Sequence, residues 1–203
     1  MTSPEVRELI RLAVTMPPRE YSAAHIVGGE AFAFDWNATR HRAFREEIAA
    51  KLRVPVGQVV VIGSSKFGFS LNPDTLLREF SPAHSDIDIV IVAAEVFDNA
   101  VLELAAEKNA IRLANDDERH RLRKTREHVA DGYIRPDQLP LMSGLARDWF
   151  PRLAGPYGTP LAQRLPVKAW LFKSMEHAQL LYAEHLNRMQ PKLRRMLESR
   201  GTV

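Results

Sequence analysis

The feature that most constrains this chain is the segment Ser85-Asp86-Ile87-Asp88-Ile89-Val90-Ile91-Val92. Its β-branched run predicts a strand over Asp86–Val92. Side chains alternate faces along a strand, so Asp86 and Asp88 share one face, roughly 6–7 Å apart at the backbone. Ile87, Ile89 and Ile91 fill the other. A strand with one wet face and aspartates at its edge is the bland explanation. Yet aspartate is depleted in strands and two like charges at this spacing repel, so structure alone gives little reason for the pair. Carboxylates are hard oxygen ligands for Mg²⁺, which binds one or two of them together with substrate phosphates.

A second apolar run, Gln58 to Ile62, predicts another strand and ends in Gly63-Ser64-Ser65-Lys66. Glycine lets the backbone approach a ligand closely, and consecutive N–H groups in such a turn can cradle phosphate oxygens. Ser64 adds a hydroxyl, Ser65 a second, and Lys66 a positive charge. Gly-Ser also ends many ordinary strands, so this turn gains meaning only beside the aspartates.

Together, a hydrophobic strand ending in Gly63-Ser64 and a strand carrying Asp86-Ile87-Asp88 resemble the signature of the DNA polymerase β-like nucleotidyltransferase superfamily. The resemblance covers about Val59 to Val92. It implies an α/β (α+β) fold: a small mixed sheet flanked by helices, with a helical C-terminal part. It also implies that Gly63 and Ser64, with Ser65 and Lys66 beside them, hold the phosphates of a nucleoside triphosphate. Asp86 and Asp88 become the catalytic, metal-binding pair, with Mg²⁺ or Mn²⁺ as cofactor. The wording Ile-Gly-Ser-Ser-Lys-Phe-Gly-Phe-Ser-Leu (62–71) is similar to a group of bacterial nucleotidyltransferase-like proteins met near mobile-element or phage-defence genes. That links the chain to antiviral defence or a toxin–antitoxin-like system by association.

Two departures stand against the family pattern. The stretch between Ser64 and Asp86 is long, so Phe67 to His84 is expected as an inserted loop. The family places a third carboxylate on a later strand, whereas the candidate here, Leu165 to Phe172, carries Lys168 instead. Asp148 and Glu176 are the substitutes from neighbouring helices. Two functions follow. One is an enzyme moving a nucleoside monophosphate from an NTP to an acceptor hydroxyl or phosphate. The other is a degenerate module of the same fold that binds nucleotide or a partner protein.

The remaining sequence sets the frame. At 203 residues, one domain is expected, with an N-terminal helical extension over about 1–35 and a C-terminal helix over about 174–200. Further helices are expected over Pro4–Val14, Asn37–Leu52, Glu95 to about Ala130 and Leu139–Leu153. The absence of cysteine excludes disulfides and thiolate-ligated metals. No signal peptide begins the chain and no apolar run approaches the ~20 residues of a membrane span, so a cytoplasmic protein without membrane contact is expected. The net charge of +3 suits an anionic ligand. The basic run Arg119 to Arg126 reads first as a solvated helix face and second as a nucleic-acid contact. A protein partner or a homo-oligomer is compatible with all of this. Met175, Ala178, Leu181, Tyr182 and His185 form a helical stripe of the kind that packs a core. Trp149, Trp170 and Tyr157 are candidates for stacking on a nucleobase, with core packing the ordinary alternative.

Overall fold

A computed structural model describes residues 3–106, 115–139, 144–153 and 165–199 of the chain. Its centre is a four-stranded sheet: β1 (Val59–Ile62), β2 (Ile87–Val92), β3 (Tyr133–Ile134) and β4 (Val167–Phe172), in the order β1-β2-β4-β3. The sheet is mixed. β1 runs antiparallel to β2 with Ile62 opposite Asp88, and β4 runs parallel to β2 with Lys168 opposite Asp88. β3 is a two-residue antiparallel edge on the end of β4.

Eight α-helices occur among the described residues: α1 (Pro4–Thr15), α2 (Pro18–Tyr21), α3 (Ala38–Leu52), α4 (Gly63–Phe67), α5 (Ala94–Ala106), α6 (Asp116–Ala130), α7 (Gly144–Leu153) and α8 (Met175–Ser199). Their starts follow from local chemistry. The Ser3 hydroxyl accepts from the Val6 N–H ahead of Pro4, and the Asn37 side chain accepts from the Arg40 N–H at 2.9 Å. Asn115 and Glu118 form a reciprocal capping box on α6.

Both faces of the sheet are covered, which is why its strands read as continuous apolar runs rather than alternating ones. On one face, Val61, Ile87, Ile89 and Leu171 pack with Phe44 and Ile48 of α3, Phe97 of α5 and Trp149 of α7. On the other, Val60, Ile62, Val90 and Phe172 pack with Val6 and Val14 of α1 and Leu186 and Leu193 of α8. Strand alternation puts Asp88, Lys168 and Trp170 on this second face, among the positions α8 crosses.

Several boundaries differ from expectation. Ladder pairing begins at Ile87, so Asp86 stands just ahead of β2. After α1 the N-terminal segment continues in α2, a π-helical turn (Ser22–Val27) and a 3₁₀ turn (Phe32–Phe34). The helical region from Glu95 divides into α5 and α6, with residues 107–114 outside the described chain. The helix expected from Leu139 is described only from Gly144. Trp149 is 2% exposed in the core behind the sheet, so it cannot stack on a ligand; Tyr157 lies outside the described residues. Among the described residues, no helix is long and apolar enough to cross a membrane.

Candidate active site

β1 delivers Gly63 directly from Ile62, and Ile62 pairs with Asp88 across the ladder. The turn and the second aspartate are therefore held against each other by sheet register. Gly63 has φ +67°, a left-handed conformation that glycine adopts without steric penalty. A Cβ added there would stand 2.9 Å from Asp88 Oδ2. Gly63, Ser64, Asp86 and Asp88 all line one cleft of about 460 Å³. Tyr182, His185 and Arg188 of α8 line it as well, together with Asn72, Thr75 and Arg78 from the stretch between α4 and β2.

The electrostatics of the two aspartates differ. Asp88 is half-buried, and no hydrogen bond reaches its carboxylate among the described residues. Burial, reinforced by the charge of Asp86, pushes its pKa up to about 7, while Lys168 and Arg135 pull it back in part. Asp86 is ion-paired through Oδ2 to the Lys168 ammonium. That contact raises the Lys168 pKa, so the lysine stays charged. Tyr182 adds the second anomaly. Its hydroxyl is buried without a hydrogen-bond partner among the described residues, and burial together with the nearby Asp88 charge raises its pKa well above the ordinary phenol value. A buried hydroxyl left unpaired at a cleft wall is costly unless a ligand or water satisfies it.

Ser65 and Lys66 do not face this cleft. The Ser65 side chain is fully buried, and its hydroxyl donates to the Ile62 carbonyl at 2.8 Å. The Lys66 ammonium turns the other way and donates to the Gly28 and Gly29 carbonyls at 2.6 and 2.5 Å. Burial lowers its pKa to about 8. The expectation that both side chains reach phosphate is corrected accordingly: one secures the turn to its own strand, and the other secures it to the N-terminal segment. Ser65→Ala is thus expected to cost about 1 kcal/mol of stability, the usual net value of one such hydrogen bond. Ligand affinity at the cleft should be unchanged, which urea denaturation and ligand titration of the same variant would check.

The substitutes for a third acid also lie elsewhere. Asp148 is ion-paired to Arg152 on α7, and Glu176 is exposed in the first turn of α8; neither lines the cleft. Trp170 does line it, yet the Arg135 guanidinium sits 5.0 Å over its ring and Tyr133 stacks 5.5 Å away. The basic run on α6 is a solvated face in which Lys124 pairs with Glu127, while Leu122 and Thr125 turn inward.

The donor set fits a divalent ion in a restricted way. Among the described residues, no group of three or more His, Cys, Asp or Glu side chains gathers to hold a metal. Asp86 and Asp88 supply two carboxylates, and an ion there would complete its shell from phosphate oxygens and water, as Mg²⁺ commonly does. Glycine at position 63 brings the turn's backbone close to Asp88, where a Cβ would meet the carboxylate.

Sequence reading missed α8 as the cleft wall and Arg78 as a rim cation. The Tyr182–His185 stripe was visible, but helical periodicity cannot say what a helix covers. Arg78 sits after Leu77, whose φ of +63° marks a sharp reversal that no sequence pattern signals. No protein-family model, no curated protein and no solved structure matches this chain, so the site is read on its own geometry.

Proposed function

We propose that this cleft binds a nucleoside triphosphate with a divalent metal and transfers its nucleoside monophosphate to an acceptor hydroxyl or phosphate. The observation that carries the reading is the left-handed Gly63 turn held against Asp88 in the cleft that Ser64, Asp86 and Tyr182 also line. The resemblance to the DNA polymerase β-like nucleotidyltransferases supports it. In this reading Gly63 and Ser64 receive the β- and γ-phosphates by backbone and hydroxyl donation. Asp86 and Asp88 hold the Mg²⁺ or Mn²⁺ that neutralises the phosphate charge. Arg78 and Arg188 face the same space and suit the tail of the triphosphate. The acceptor oxygen bonds to the α-phosphorus as the bond from that phosphorus to the bridging oxygen breaks. Pyrophosphate leaves, and the acceptor's proton passes to solvent. Most of the rate would come from alignment and charge compensation.

A second reading, a module that binds nucleotide without turnover, is favoured by one observation: Lys168 engages Asp86, and among the described residues no third carboxylate lines the cleft. Incubation with each labelled NTP, Mg²⁺ or Mn²⁺ and a cell lysate separates the two. Label transfer or pyrophosphate release is the expected result. A metal-dependent rise in melting temperature with neither product would establish the module, and no response to any NTP would sink both.

A further inference from the structure

Resting on the nucleotide–metal reading above, we propose that the Lys168 ammonium stands in for a second divalent cation, so that this site holds one metal ion per chain, the one that arrives with the triphosphate. The strands carry this argument. β4 lies parallel beside β2, and its Lys168 is in register with Asp88 on the face that borders the cleft. From there its ammonium reaches Asp86 and forms an ion pair. Asp86 makes no other polar contact among the described residues.

Charge balance gives the exchange its meaning. A carboxylate at position 168 would contribute one negative charge, and the lysine contributes one positive charge. The difference is two charges, which is the charge of one divalent ion. Asp86, Asp88 and Lys168 together carry a formal −1. One divalent ion brings that trio to +1, and a second would bring it to +3. Three carboxylates with two such ions would also stand at +1, so lysine with one metal reproduces that balance. A second dication at this spot would have to displace the ammonium from Asp86 and then remain beside it, where like charges at contact range repel strongly even in a partly solvated cleft.

The lysine's neighbours keep it available for this role. Arg135, another cation near β4, is held by Asp137 and by the Trp170 ring rather than by Asp86.

The test counts bound Mn²⁺ on the full chain by electron paramagnetic resonance, with the metal alone and with inorganic tripolyphosphate, which is a phosphate probe independent of base. One Mn²⁺ per wild-type chain is expected, and two in Lys168→Asp, where a third carboxylate replaces the ammonium. Lys168→Met is the second variant. It removes the charge without adding a ligand, and its affinity for a second Mn²⁺ should exceed that of the wild type by about tenfold or more. Thermal unfolding of each variant checks that it folds, and the methionine variant decides the matter if the aspartate variant does not. Two ions on the wild-type chain would overturn the inference and leave the nucleotide–metal reading standing. Unchanged stoichiometry and affinity in both variants would overturn it in the same way. No Mn²⁺ on the wild type under either condition would overturn both.

Discussion

Asp88→Asn is expected to stabilise the ligand-free protein above pH 7 and to abolish its metal-dependent response to nucleotide. The first effect follows from where Asp88 sits. Its folded pKa is raised to about 7, chiefly by burial and next by the charge of Asp86. The unfolded chain ionises near the ordinary aspartate value of about 3.9. Between those values the folded state holds a proton that the unfolded state has released, so stability falls as pH rises through this window and stays reduced above it. Asparagine has no such proton to lose. A shift of this size corresponds to at most about 4 kcal/mol, and partial solvent access to the cleft brings the expected gain nearer 2 kcal/mol. For a chain of this length that is a rise of about 4–8 °C in melting temperature at pH 8, shrinking toward zero near pH 4.

The second effect runs the opposite way. Ligand at about a hundred times its dissociation constant stabilises a native protein by ~2.7 kcal/mol. In the wild type that gain should require Mg²⁺ or Mn²⁺, because the ion joins the phosphates to Asp86 and Asp88. The neutral amide is a poor ligand for a hard dication, so the metal-dependent part of the gain should vanish. Thermal melts across pH 4 to 9, with and without Mg-NTP, report both effects. An asparagine variant less stable than wild type at pH 8 would show that Asp88 supports the fold rather than straining it. A variant that kept the full Mg-dependent gain would remove Asp88 from the metal site.

What the sequence made legible tracks which interactions are local. β1, β2 and β4 were visible because each is a short β-branched or aromatic run covered on both faces by helices. The closeness of Gly63 to Asp88 depends on β1 and β2 lying side by side, and both were expected as strands. The direction of Lys66 was not, since it is decided by carbonyls of Gly28 and Gly29, nearly forty positions earlier in the chain. Periodicity marked Tyr182 as inward-facing and stopped there; that the residue lines the cleft depends on how α8 crosses the sheet. β3 is two residues long and carries no periodic signal at all. Lys168 is the instructive intermediate. Its place on the strand was readable, while its contact with Asp86 depends on β4 lying parallel and immediately beside β2.

Gly63→Ala should destabilise the protein by about 2–3 kcal/mol and remove nucleotide binding, while Gly57→Ala changes neither appreciably. Two independent costs meet at Gly63. Its φ of +67° belongs to the left-handed region, where a residue with a Cβ is disfavoured by roughly 1–2 kcal/mol. The same Cβ would come within 2.9 Å of Asp88 Oδ2 and 3.5 Å of the Asp88 Cβ, so the carboxylate must swing aside. That movement displaces the group proposed to hold the metal, and the added methyl occupies the space where phosphate is proposed to approach the turn. Gly57 is the matched control: a Cβ there meets nothing within 4 Å among the described residues. The substitution should even add a few tenths of a kcal/mol by restricting the unfolded chain. A double-mutant cycle separates the two costs. Asp88→Ala in the Gly63→Ala background removes the carboxylate that the methyl strikes, so it should recover the steric part of the loss and leave the backbone part. An interaction energy of about 1 kcal/mol or more between the two sites is expected. Strict additivity would mean that the turn and the aspartate do not touch, and a Gly63→Ala protein with wild-type stability and full Mg-dependent nucleotide binding would dissolve the site.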